Sequence, residues 1–298
     1  MDGGNRDFGT FVGESLPGSL DFFELLGGFV LSLVIGVIGY KRGALNGSGV
    51  VGAALIGTLI FGLGGWEWGI LLIAFFVSSS ALSFYRAREK QRLAEKFAKG
   101  HRRDLGQALA NGGVAALLAV LSHFLSPFPG EGRGGLWFVA CAGALAAVNA
   151  DTWATELGVL SRTSPRLITT GRRVEVGASG GVTWLGTVAS LGGALFIGLL
   201  GALVLRQGWA AGGILLLAAT VGGLAGSVCD SILGATVQGI YWCDTCQKET
   251  ERRVHRCGTE TRLLRGWRWL GNDAVNFTAS AVGALTALGV GWLLLWGS

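Results

Sequence analysis

Charge is what this chain has least of. Only 14% of its 298 residues are Asp, Glu, Lys or Arg, half are hydrophobic, and the mean hydropathy is +0.52. Soluble globular domains carry nearer a quarter charged residues, so composition excludes that class. No motif of a nucleic-acid-binding fold occurs, so the net charge of +5 implies no nucleic-acid partner. The polar residues 1–21 lack the basic n-region of a cleaved signal peptide, and the first apolar run reads as a retained helix. The Gly-Lys-Ser/Thr ending of a P-loop is also missing.

What the chain does have is long apolar runs. Segments 22–39, 47–64, 67–84, 107–126, 136–159, 183–205, 209–239 and 273–296 are each long enough to cross a bilayer as a helix. The 52 glycines suit close helix approach in lipid. The seventh segment is long and Gly-interrupted, which predicts a tilted, broken or partly extramembrane helix. The expected architecture is an all-α, polytopic bundle of about eight transmembrane helices, with 1–21 a polar tail and 22–298 a single transmembrane domain.

With both termini outside, loops 40–46, 85–106, 160–182 and 240–272 face the cytoplasm. They hold all 24 Lys and Arg except Arg6, Arg133 and Arg206. That asymmetry is the positive-inside signature of a multi-pass protein of the cell membrane. Trp66, Trp68, Trp137, Trp209 and Trp296 then fall near the outer interface as anchors. The basic inner loops suit anionic lipid headgroups or anionic substrates. The sign-alternating stretch Tyr85–Arg103 reads as a basic amphipathic helix on the inner leaflet or as a solvated helix.

Four acids, Asp151, Glu156, Asp230 and Asp273, sit in or at the ends of these spans. Each costs roughly 2.5–3.5 kcal/mol at a helix centre unless a cation, proton or substrate neutralises it. At helical spacing Asn149, Asp151, Thr152, Thr155 and Glu156 share one sector, as do Ser227, Asp230, Ser231, Gly234 and Gln238. Asp104, Gln107 and Asn111 form a stripe, and Asn272, Asp273 and Asn276 another. All four stripes lie towards the cytoplasmic ends, which predicts one pocket open to the cytoplasm. Helix caps and interhelical hydrogen bonds are the alternative reading, above all for Asn272 and Asp273. No Lys or Arg lies within the spans to pair with these carboxylates. The donor set therefore suits a hard cation such as Mg²⁺, with phosphate oxygens filling further positions. Loop 161–182 carries Arg162, Arg166, Thr169, Thr170, Arg172 and Arg173 and runs through Gly177-Ala-Ser179-Gly180-Gly181 into a helix N-terminus, a phosphate-binding composition. Lys41, Arg42, Arg102 and Arg103 are further candidates for phosphate. Cys243-Asp-Thr-Cys246 and His255-Arg-Cys257 fit a structural zinc site with no open position, or else reduced thiols or a redox pair.

The runs Asn149-Ala-Asp151-Thr-Trp-Ala-Thr-Glu156-Leu-Gly, Pro165-Arg-Leu-Ile-Thr169-Thr170 and Gly180-Gly181-Val-Thr resemble the integral-membrane family once filed as domain of unknown function ninety-two. So do Asp104-Leu-Gly-Gln107-Ala-Leu-Ala-Asn111-Gly, Gly226-Ser-Val-Cys-Asp230-Ser-Ile-Leu-Gly-Ala-Thr-Val-Gln238 and Asn272-Asp-Ala-Val-Asn276. That family includes the plant phytyl-phosphate kinase of vitamin E synthesis and transmembrane protein nineteen of animals. The likeness spans nearly all the chain from Leu26 onward. It implies a kinase converting a phytyl or polyprenyl monophosphate to the diphosphate, with a nucleoside triphosphate, CTP first, as donor. On that implication Asp151, Glu156 and Asp230 hold Mg²⁺, with Asn149, Asn272 or Asp273 supporting. Gln107 and Asn111 orient phosphate oxygens, and Lys41, Arg166, Arg172 and the Gly177–Gly181 turn clamp phosphate. Thr169, Thr170, Ser179, Gly180, Gly181, Ser231, Gln238 and Asn276 complete the expected substrate contacts. A CTP-dependent cytidylyltransferase making a CDP-lipid, or an ion-coupled transporter or flippase, would use the same acids.

Overall fold

The computed structural model describes residues 22–87, 90, 102–125, 135–205 and 208–296. The tail 1–21 and, within the sign-alternating segment, residues 88, 89 and 91–101 lie outside the described residues, as do Arg133 and Arg206. The described residues hold eight helices long and apolar enough to span a membrane. They are α1 (Phe22–Lys41), α2 (Gly47–Leu59), α3 (Trp66–Phe84), α4 (Leu105–Leu125), α5 (Leu136–Gly158), α6 (Trp184–Leu205), α7 (Trp209–Thr236) and α8 (Asn272–Trp296). A π turn at Ile60–Gly64 extends α2, and Gly65 (φ 92°) then reverses the chain into α3. The eight-helix bundle expected from hydropathy is present. The seventh helix is one unbroken α-helix despite its glycines, and Gly222, Gly223 and Gly226 let neighbouring helices approach it closely.

Helix α5 is the hub. It packs against α3, α4, α6, α7 and α8, and every residue from Phe138 to Ala150 is buried. Small side chains make this possible. A Cβ at Gly226 of α7 would collide with the Ala147 side chain of α5 and lie 2.7 Å from the Ala279 carbonyl of α8. Three backbones thus meet where only glycine fits. At the far end of the bundle Trp68 and Phe138 are fully buried with ring centroids 5.9 Å apart. Helix α1 turns Gly28, Ser32 and Gly36 towards α2 and leaves Phe29, Val30, Val34 and Ile38 exposed, an outer surface only a lipid phase would cover.

The described parts of the four basic connections lie at one end of the bundle. There the structure adds what helical periodicity could not show: two small antiparallel sheets. β1 (Arg166–Leu167) pairs with β2 (Gly181–Val182), and β3 (Ile240–Cys243) sits between β4 (Lys248–Thr250) and β5 (Arg262–Arg265). Strands this short carry no readable alternation.

Candidate functional site

The contact of Gly226 with Ala147 sets the site's geometry. Helices α5 and α7 run parallel, so one turn further along each chain Asp151 and Asp230 stand at the same depth. Their carboxyls are in hydrogen-bonding contact, and Asp230 also feels the charge of Glu251. The Oδ2 of Asp230 is buried and makes no hydrogen bond. The antiparallel α8, held at Ala279, brings Asn276, Asp273 and Asn272 of its first turn towards the same level, all partly buried. Ser231, partly buried, follows Asp230 on α7. Two carboxyls in such contact cannot both ionise unless a cation lies with them, so this donor set fits a hard divalent ion.

Glu251 comes from the segment after β4. Its Oε1 accepts hydrogen bonds from Ser179 Oγ (2.8 Å) and Gln238 Nε2 (3.0 Å), and Gln238 is 2% exposed. Arg265 on β5 fastens the same corner, donating to the carbonyls of Gly234 (2.9 Å) and Ser179 (3.4 Å). Gly180 (φ +79°) lies where a side chain would meet Ala235 at 2.5 Å, so the Gly-rich turn is pressed onto the end of α7. Sequence reasoning missed Glu251. It is one of several acids in loop 240–272, and nothing in its spacing marks it. Ser179 and Gln238, expected on substrate, instead hold this carboxylate, and Gly180 and Gly181 shape the turn.

Glu156 is not brought to the Asp151–Asp230 pair. Its Oε2 pairs with Lys90 Nζ at 2.6 Å and its Oε1 accepts from Ser83 Oγ at 2.6 Å. The basic partner comes from outside the spans: Lys90 reaches the end of α5 from the segment beyond α3, a tertiary contact hydropathy cannot reveal. Arg103 lies close by. It donates to Ser80 Oγ (2.9 Å) and stacks over Phe75 and Phe76, each 5.8 Å away. Burial lowers its guanidinium to about 10, opposed by the Glu156 charge, so it stays cationic at neutral pH. Arg103, Gln107 and Asn111 line a crevice between α1, α2, α3 and α4 whose remaining wall includes Ile56, Phe61, Phe75 and Phe76.

Several expected contacts serve the scaffold. Asn149 is fully buried, donating to the Gly193 carbonyl (2.8 Å) and accepting from Ser78 Oγ (3.0 Å), so it clamps α3, α5 and α6. Asp104 and Gln107 form a reciprocal capping box at the start of α4: the Gln107 amide donates to Asp104 Oδ1 (2.9 Å) and the Asp104 amide to Gln107 Oε1 (3.2 Å). Arg166 on β1 and Thr169, Thr170 and Arg172 on the β1–β2 loop are exposed, and Arg166 donates to the Gly171 carbonyl (2.9 Å). Lys41 is exposed at the end of α1.

Cys243, Cys246, His255 and Cys257 converge, their ligand atoms all within 4.8 Å of one another. Hydrogen bonding with Thr259 and His255 pulls the Cys257 thiol down to about 6, while hydrogen bonding with Cys257 pushes Cys246 up to about 11. Cys141 is a buried packing residue in α5, and Cys229 adjoins Asp230 on α7.

The family described as Integral membrane protein DUF92 matches residues 30–284. Protein PGR of Arabidopsis thaliana is 34% identical over 276 residues, covering 86% of this chain and 92% of that protein. An uncharacterized membrane protein of Methanocaldococcus jannaschii is 35% identical over 212 residues, 70% of this chain and 82% of that one. Protein VTE6, chloroplastic, of Arabidopsis thaliana is 27% identical over 248 residues, 82% and 64% respectively. No solved structure matches.

Proposed function

This chain belongs to the DUF92 family of integral membrane proteins, and from that premise we propose that it is a membrane-embedded kinase raising an isoprenoid monophosphate to its diphosphate. The carrying observation is the Asp151–Asp230 carboxyl pair with its buried, unbonded Asp230 Oδ2, placed at the end of the bundle where all the described basic loops gather. By the positive-inside asymmetry that end faces the cytoplasm, where a nucleoside triphosphate, CTP in our proposal, arrives.

Phosphoryl transfer to a phosphate acceptor asks little covalent chemistry of the protein. The acceptor oxygen is already ionised, so no general base is required; positioning and charge neutralisation remain. Asp151 and Asp230 would hold Mg²⁺, which when bound supplies charge neutralisation to phosphate oxygens. Glu251 completes the acidic wall. Arg103, with Gln107 and Asn111 along the crevice, suits the lipid phosphate, and the apolar wall from Phe75 to Phe61 suits its tail. The exposed Arg166, Thr169, Thr170 and Arg172, with Lys41, are left to meet the nucleotide's phosphates.

The test is product identification. Detergent-purified protein is incubated with phytyl, farnesyl or geranylgeranyl monophosphate, each nucleoside triphosphate and Mg²⁺, and the lipid is read by mass. The proposal expects a lipid diphosphate and a nucleoside diphosphate. A CDP-lipid with pyrophosphate, or no metal-dependent lipid product, overturns it.

A further inference from the structure

The ribbon formed by β3, β4 and β5 places a carboxylate with precision. Its two turns are built alike. Cys243 and Cys246 bracket one, closed by the Gln247 amide donating to the Cys243 carbonyl at 2.8 Å. His255 and Cys257 bracket the other, closed by the Gly258 amide donating to the His255 carbonyl at 2.9 Å. The residue directly after the second bracketing residue of each turn, Gln247 (φ 52°) or Gly258 (φ +85°), is left-handed. That conformation turns the backbone away and leaves both side chains of each turn facing inward. Cys243 Sγ and Cys257 Sγ are 3.6 Å apart, too far for a disulfide. His255 Nδ1 lies 3.2 Å from Cys257 Sγ. These spacings are close to the edges of a tetrahedron whose metal–sulfur bonds are about 2.3 Å and metal–nitrogen bonds about 2.0 Å. Three thiolates and one imidazole are a soft, closed donor set, which selects zinc over magnesium.

We propose that Cys243, Cys246, His255 and Cys257 bind one zinc ion, and that the metal-folded ribbon is a latch holding Glu251 on Ser179 and Gln238 beside Asp230. Glu251 follows β4 directly and lies between the two cysteine turns, so its position depends on the β3–β4 pairing that Cys243 ends. The zinc is architectural: four protein ligands leave no position for substrate. Glu251 is a positioning carboxylate for the acidic pair, and only this last role rests on the kinase reading.

The test needs no turnover. Zinc is measured by atomic emission in protein purified without chelator. Wild type is expected to hold one zinc per chain, His255→Ala with Cys257→Ser close to none, and His255→Cys, which keeps four ligands, one again. Cobalt substituted for zinc is expected to show the intense d–d bands of a tetrahedral thiolate site. Wild-type protein lacking zinc, with all four side chains modified as readily as solvent-exposed ones, overturns the site. Hydrogen exchange then reads the latch. Stripping zinc from wild type is expected to speed exchange about tenfold not only in 240–271 but also in the Gly177–Gly181 turn. Glu251→Gln is expected to loosen that turn while zinc stays bound. If exchange rises only inside 240–271, or Glu251→Gln leaves the turn protected, the latch is overturned while the zinc site stands. Wild-type protein that holds zinc and keeps the turn protected but shows no kinase activity would count against the proposed function alone.

Discussion

Asp151 and Asp230 face each other because, one turn earlier, Gly226 lets Ala147 seat against the backbone of α7. A contact between two of the smallest residues in the chain therefore decides which two acids meet.

Replacing either acid should silence chemistry without unfolding the bundle. Asp230→Asn keeps the shape and removes the charge, so the Mg²⁺-dependent kcat/KM should fall about 100-fold or more. In chelator the same variant should unfold at a temperature close to that of wild type, since without a cation the pair already shares a proton and the Asn amide can donate to Asp151 in its place. Steady-state kinetics beside thermal unfolding in detergent reads both.

Overfilling the three-helix contact should do the opposite. Gly226→Leu drives side-chain atoms into Ala147 and the Ala279 carbonyl and should destabilise the bundle by about 1–3 kcal/mol. Ala147→Gly in the same chain should recover part of that loss. Thermal midpoints of the single and double variants check it.

The Lys90–Glu156 pair is 12% and 21% exposed, so removing one partner strands the other in a poorly solvated place. Lys90→Ala should cost stability towards the lower end of about 3–5 kcal/mol, and Lys90→Met with Glu156→Met should recover most of it. Recovery of stability without recovery of activity would mark Glu156 as chemically engaged.

Asn149 separates a scaffold role from a ligand role. Asn149→Leu leaves Ser78 and the Gly193 carbonyl without their shared partner and should cost about 1–3 kcal/mol. The Mg²⁺ concentration giving half-maximal activity should not move. A large shift in that concentration would restore Asn149 to the metal site.

Much of this was legible in the chain. The spans follow from length and hydropathy, since a bilayer accepts only segments that satisfy their own backbone. The acids, the Gly-rich loop and the Cys–His spacing were visible because each is rare in its surroundings. The pairing of those groups was not. Asp151, Asp230 and Glu156 look alike on a helical wheel, yet one pair meets across α5 and α7 and the third turns to Lys90.

The sequence by itself determined eight apolar helices, the basic character of one end and four ligands at metal spacing, because those depend on residue type and local period alone. Only the tertiary structure decided that Glu251 lies beside Asp230, that Asn149 is a clamp and that Gln107 is a cap. Those facts depend on interhelical register and strand pairing, which are set by backbone contacts between residues far apart in the chain and leave no period to read.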